Sequence, residues 1–156
     1  MTTPPQATGD PRGLVRALRA AHLHDATRDA LLRMACEKIQ AWGGPYTSVY
    51  AYMLHGNELL LEAHAGRDTD HVRIPVGQGV CGTAVAQRQD QNVPDVSAIG
   101  NYLACNIYTK SELVVLIRRG DHILGQIDID SDVPNGFGDR EQADVREVAD
   151  ALAVLL

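Results

Sequence analysis

The stretch Leu124-Gly125-Gln126-Ile127-Asp128-Ile129-Asp130-Ser131 sets the strongest limit on how this chain can fold. Its apolar run reads as a buried strand. Side chains on a strand alternate between faces, so Ile127 and Ile129 share one face while Asp128 and Asp130 share the other. Carboxylates resist burial unless they are paired, protonated or serving a site. Either these two acids lie on the solvated face of an edge strand, or they carry chemistry.

The segments around this strand point to a mixed fold. Residues 49–54 and 58–63, joined by His55-Gly56-Asn57, read as an antiparallel hairpin. Residues 113–118 and 122–130, joined by Arg119-Gly120-Asp121, read as a second, with Arg118 and Arg119 at a solvated tip. A strand over 72–76 leads into Gly77-Gln78-Gly79 and a short helix beginning near Cys81. Two helices precede the sheet. The first lies near 14–22, and the second, near 25–42, spaces Leu31, Ala35, Ile39 and Trp42 along one face. The last helix is expected from Asp139 as N-cap, with Gln142 three residues on and Val145, Val148, Ala149, Leu152 and Leu156 inward. Between Asn92 and Lys110 no period holds, which predicts a long irregular segment of the kind that often serves function. The layout is α+β with an antiparallel sheet. Residues 1–11, carrying Pro4, Pro5, Gly9 and Pro11, are expected to be a mobile tail, and 12–156 a single domain.

A formal charge of −6, with no clustered Lys and Arg, argues against a nucleic-acid partner. No membrane-helix or signal-peptide pattern stands out, so no membrane partner is expected and a cytoplasmic location is. The three cysteines form no close-spaced pair and do not read as a secreted disulfide framework or a metal-ligand set. Cys36, beside Met34 and Ala35 in a helical stretch, reads as packing.

Four segments occur in order: Gly79-Val80-Cys81-Gly82-Thr83, Ala104-Cys105, Ser111-Glu112 before an apolar strand, and Asp128-Ile129-Asp130-Ser131. In this order, over residues 46 to 156, the chain resembles the free methionine-(R)-sulfoxide reductases, a family of single GAF domains. The resemblance implies a GAF fold: a central antiparallel sheet with the N- and C-terminal helices packed on one side. It implies Cys105 as the attacking thiol and Cys81 as the resolving one, through a sulfenic acid and an intramolecular disulfide. Glu112, Asp128 and Asp130 fall where the family places its carboxylates, as proton donor and ammonium site. Tyr52 falls on an aromatic position of the substrate box, and the backbone near Ala104 is placed to bind the substrate carboxylate. The implied partners are free methionine sulfoxide or another small polar ligand, thioredoxin as reductant and a second copy of the chain in a homodimer. No cofactor is implied.

The chain departs from the family at three places. His71 stands where a third cysteine often lies, Ser48 where a Trp would be, and Asn106-Ile107-Tyr108-Thr109 where smaller residues follow the attacking cysteine, so that bulk there is expected to reshape the pocket. These departures leave an alternative: a non-catalytic, stand-alone GAF sensor that binds a small molecule or anion and signals through a partner protein.

Overall fold

The computed structural model describes residues 9–100 and 107–156. The expected tail before residue 9 and both Ala104 and Cys105 lie outside the described residues. The elements run α1 (Pro11–Leu23), α2 (Arg28–Gln40), β1 (Ser48–His55), β2 (Glu58–Ala65), β3 (Arg73–Pro75), α3 (Gly79–Gln87), β4 (Gln91–Val93), a single 3-10 turn at Val96–Ala98, β5 (Ser111–Arg119), β6 (His122–Ser131) and α4 (Asp139–Leu155). The six strands form one sheet in the order β3-β2-β1-β6-β5-β4, antiparallel at every pairing.

Helix starts follow local chemistry. Asp10 Oδ1 accepts the Gly13 N–H at 3.0 Å and Pro11 takes the first helical position, so α1 begins three residues before Leu14. Thr27 Oγ1 accepts the Ala30 N–H and opens α2. The start of α4 differs from the sequence expectation. Gly138 is its N-cap, and Glu141 Oε2 accepts the Gly138 N–H at 3.0 Å, so Asp139 is the first helical residue rather than the cap. Its charge still favours the positive end of the helix.

The sheet separates two cores. On one face Val49, Ala51, Met53, Leu113, Val115, Ile117, Ile127 and Ile129 pack beneath α1, α2 and α4, whose inward side chains include Leu18, Leu32, Cys36, Val148 and Leu152. On the other face Tyr50, Tyr52, Val114 and Leu116 pack beneath α3 with Val80, Cys81, Ala84 and Val85. Trp42, just past α2, packs edge-on against Tyr46 with centroids 5.2 Å apart.

At the expected solvated tip Arg119 is exposed and Arg118 half-buried, yet both are tied down. Arg118 Nη2 donates to the Arg88 carbonyl, and Arg119 donates to the Ala153 and Leu156 carbonyls at the end of α4, which have no partner within the helix. A further tie crosses the β5 edge. Short β4 pairs with residues 112–114 only, and beyond it Asp90 Oδ1 accepts the Leu116 N–H at 2.9 Å. Arg146 of α4 grips the same carboxylate at 2.6 Å and donates to the Leu116 carbonyl at 2.8 Å. Among the described residues no helix is long and apolar enough to cross a membrane.

Candidate functional site

Strand β6 lies between β1 and β5, so the edge-strand reading of its acids fails. Asp128 is opposite Tyr50 on β1 and Val114 on β5, and Asp130 is opposite Ser48 and Glu112. The register therefore sets Glu112, Asp128 and Asp130 on the face that α3 covers, each no more than 4% exposed.

Helix α3 supplies the thiol. Gly79 adopts φ +63°, open to glycine at no steric cost, and turns the chain into the helix. At Gly82 a Cβ would lie 2.5 Å from the Pro75 carbonyl oxygen, so only glycine lets this turn press against the end of β3. Between them Cys81 points down at the sheet. Its Sγ stands 3.8 Å from Glu112 Oε2, a weak thiol-to-carboxylate contact, and ligating atoms of Cys81, Glu112 and Asp128 all lie within 4.8 Å of one another. Three separate elements thus converge on one point.

The electrostatics follow from burial. A cysteine in the first turn of a helix ordinarily gains acidity from the dipole, an effect of about 0.3–1 kcal/mol. Here desolvation, then the Asp128, Glu112 and Asp130 charges, push the Cys81 thiol well above its usual value and keep it protonated at neutral pH. Asp128 is raised too, by desolvation against the lowering effect of hydrogen bonds with Glu112 and Cys81. Its Oδ1 has no hydrogen-bond partner. A cavity of about 10 Å³, lined by His71, Ile74, Gln78, Val80, Cys81, Glu112 and Asp128 among others, sits over this cluster and has room for a single water- or ion-sized occupant. A larger open cavity of about 440 Å³ adjoins it across Gly79 and Val80 and runs past Thr83, Val93 and Ile99.

The segment between β2 and β3 is held by the tyrosines of β1. Tyr50 donates to the Arg67 carbonyl at 2.8 Å and Tyr52 to the His71 carbonyl at 2.7 Å. Ser48 is fully buried and its Oγ accepts the Arg67 N–H, so this position braces the same segment. Arg67 forms a two-pronged pair with Asp132 at 2.7 and 2.6 Å and lies under the Tyr108 ring, 4.9 Å from its centroid. Ile107 and Tyr108 are 84% and 56% exposed, so their bulk goes to solvent rather than into the cavity.

The structure brings together Cys81, Glu112 and Asp128 as one cluster, with Asp130 on the same face and Tyr52 behind the His71 wall; Cys105 and Ala104 lie outside the described residues. His71, marked in the sequence as a departure from the family, lines the cavity. Sequence reasoning passed over Gln126, which is fully buried on the acid face with neither amide atom hydrogen-bonded. Period-two alternation from Asp128 was the signal available for Gln126. Cys36 is inert: burial raises its thiol to about 12.

Residues 24–156 match the family model described as GAF domain. The free methionine-R-sulfoxide reductase of Escherichia coli is 38% identical over 105 residues, 67% of this chain and 63% of that protein. The aligned stretches span between 50% and 63% of the lengths of the curated relatives. Among solved structures, the type II free methionine-R-sulfoxide reductase of Thermoplasma acidophilum superposes with a TM-score of 0.77 at 34% identity, covering 91% of this chain and 94% of that one. A substrate complex of the Staphylococcus aureus fRMsr gives 0.85 at 30% identity, covering 99% of both chains.

Proposed function

The chain belongs to the GAF domain family, and from that premise we propose that it reduces free methionine-(R)-sulfoxide to methionine. The convergence of Cys81, Glu112 and Asp128 on one buried point, from α3, β5 and β6, carries the reading. The Cys105 thiol attacks the sulfoxide sulfur and takes its oxygen as a sulfenic acid, releasing methionine. The Cys81 thiol then condenses with that sulfenic acid, forming a disulfide and expelling water, and the dithiol of thioredoxin reduces the disulfide. A thiol held neutral by burial and three acids suits the second step, because it stays unreactive until a sulfenic acid is within reach; Glu112, 3.8 Å from its sulfur, takes its proton. Asp128, whose carboxyl is biased toward its protonated form, donates to the departing oxygen, while Glu112 and Asp130 face the substrate ammonium. Tyr52 backs the substrate box through the His71 segment, and backbone near Ala104 binds the carboxylate. Methionine sulfoxide needs more room than about 10 Å³, so it would reach into the adjoining 440 Å³ cavity as the wall at Gly79 and Val80 gives way.

That small volume is also the observation that favours the other reading, a sensor whose ligand is bound unchanged. Turnover decides between them. With racemic free methionine sulfoxide, thioredoxin, thioredoxin reductase and NADPH, the R form disappears selectively, a peptide-linked sulfoxide survives, and Cys105→Ser is inactive. No loss of either enantiomer, under conditions where a control reductase works, would leave the sensor.

A further inference from the structure

We propose that Cys81, Glu112 and Asp128, with His71 on the same cavity wall, form a binding site for a zinc ion, whose arrival withdraws the Cys81 thiol from disulfide formation. The donor set is one thiol and two carboxylates, with an imidazole-bearing residue beside them. A sulfur donor selects borderline-soft cations over magnesium and calcium, and three or four such ligands are the usual complement of zinc. The spacing is close to what zinc needs. Bonds of about 2.3 Å to sulfur and 2.0–2.2 Å to oxygen in a tetrahedron put the two donors about 3.5 Å apart. Cys81 Sγ and Glu112 Oε2 stand 3.8 Å apart, and all three donors lie within 4.8 Å, so small side-chain rotations complete the geometry.

Two further observations point to an occupant. Asp128 is 1% exposed and its Oδ1 has no partner, although it lines the cavity. A buried acceptor left so is unfavourable unless something binds it. The cavity itself, about 10 Å³, holds an occupant the size of an ion or a water and nothing larger. On binding, the Cys81 S–H bond breaks, a sulfur–zinc bond forms and the proton leaves to solvent. His71 is a further residue of the cavity lining, from which a fourth ligand could come.

Metal binding stands apart from the reductase reading and is measured without methionine sulfoxide; only the inhibition it would cause rests on that reading. The full chain, stripped with chelator and reduced with a phosphine, is titrated with Co²⁺. One equivalent should bind with a thiolate-to-cobalt charge-transfer band that equimolar Zn²⁺ bleaches, and calorimetry in buffers of different ionisation enthalpy should show proton release. Cys81→Ser should lose the band, Cys36→Ser and Cys105→Ser should keep it, and Glu112→Gln and His71→Ala should each weaken binding about tenfold or more. Should Cys81→Ser not fold, the Glu112→Gln and His71→Ala titrations carry the test. Absence of one-to-one binding, a band that survives Cys81→Ser, or unaltered affinity in both Glu112→Gln and His71→Ala overturns the site. Turnover without metal binding removes the zinc site alone; metal binding without turnover removes the reductase reading alone.

Discussion

The two faces of the sheet are built from the same strands and obey opposite rules. Beneath α1, α2 and α4 the strands offer Val49, Ala51, Met53, Leu113, Val115, Ile127 and Ile129, an apolar surface with buried Ser111 and Ser131 only at its end. Beneath α3 the alternate positions of those strands offer Ser48, Gln126, Asp128, Asp130 and Glu112 among the tyrosines and aliphatics, all buried. One face is spent on stability. The other keeps polar groups dry at a cost in stability, and such groups persist where they bind or react.

This contrast can be broken by exchanging the rules. Ile129→Asp puts a carboxylate among the aliphatics of the helical face with nothing to pair it; a loss above about 4 kcal/mol is expected, enough that little soluble folded protein is recovered. A cooperative melt near the parent value would mean that the two faces do not differ as described. Arg146→Ala leaves Asp90, with its side chain mostly buried, without its cation, and should cost about 1–3 kcal/mol, read as a melting temperature lower by about 3–9 °C.

On the acid face the sign should reverse. Asp128→Asn removes a carboxyl whose burial raises its pKa, and should end turnover while stabilising the fold by about 1–2 kcal/mol at pH 8. The sign depends on pH. A raised carboxyl binds its proton more tightly folded than unfolded, so its protonated form supports the native state below the ordinary value of 3.8, and stability falls as pH rises from there through the folded value. The advantage of Asp128→Asn should therefore shrink toward zero near pH 4, and a gap that does not change with pH would sink this account. The smallest effect belongs to neither face. Arg73→Ala removes an exposed pair with Glu58 and should change stability by less than about 0.5 kcal/mol in urea titrations.

Where a residue's behaviour depends on strand alternation, the sequence made it readable. Asp128 and Asp130 share a face opposite Ile127 and Ile129, as period two requires, and the two hairpins are where their glycine turns placed them. Long-range pairing was hidden. Nothing local in Gln91–Val93 marks a strand; it exists because the edge of β5 beside Leu113 accepts it. The cap of α4 went astray because Asp139 and Gln142 imitate a box, whereas the cap is Gly138, whose N–H is accepted by Glu141 alone. Bulk at Ile107 and Tyr108 was expected inside the pocket, yet side-chain direction there follows the Arg67 contact, which sequence order does not reveal. Cys81 and Glu112 are 31 positions apart, and only the packing of α3 on β5 makes them neighbours.

The clasp of Asp90 on the Leu116 N–H gives the molecule a built-in gauge. Every other amide near it in β5 that β4 or β6 shields exchanges with solvent only when strands separate, whereas this one is covered by a side chain that α4 holds through Arg146. Deuterium uptake at Leu116 alone would thus register α4 lifting from the sheet edge while the strands stay paired, and would time that motion separately from unfolding.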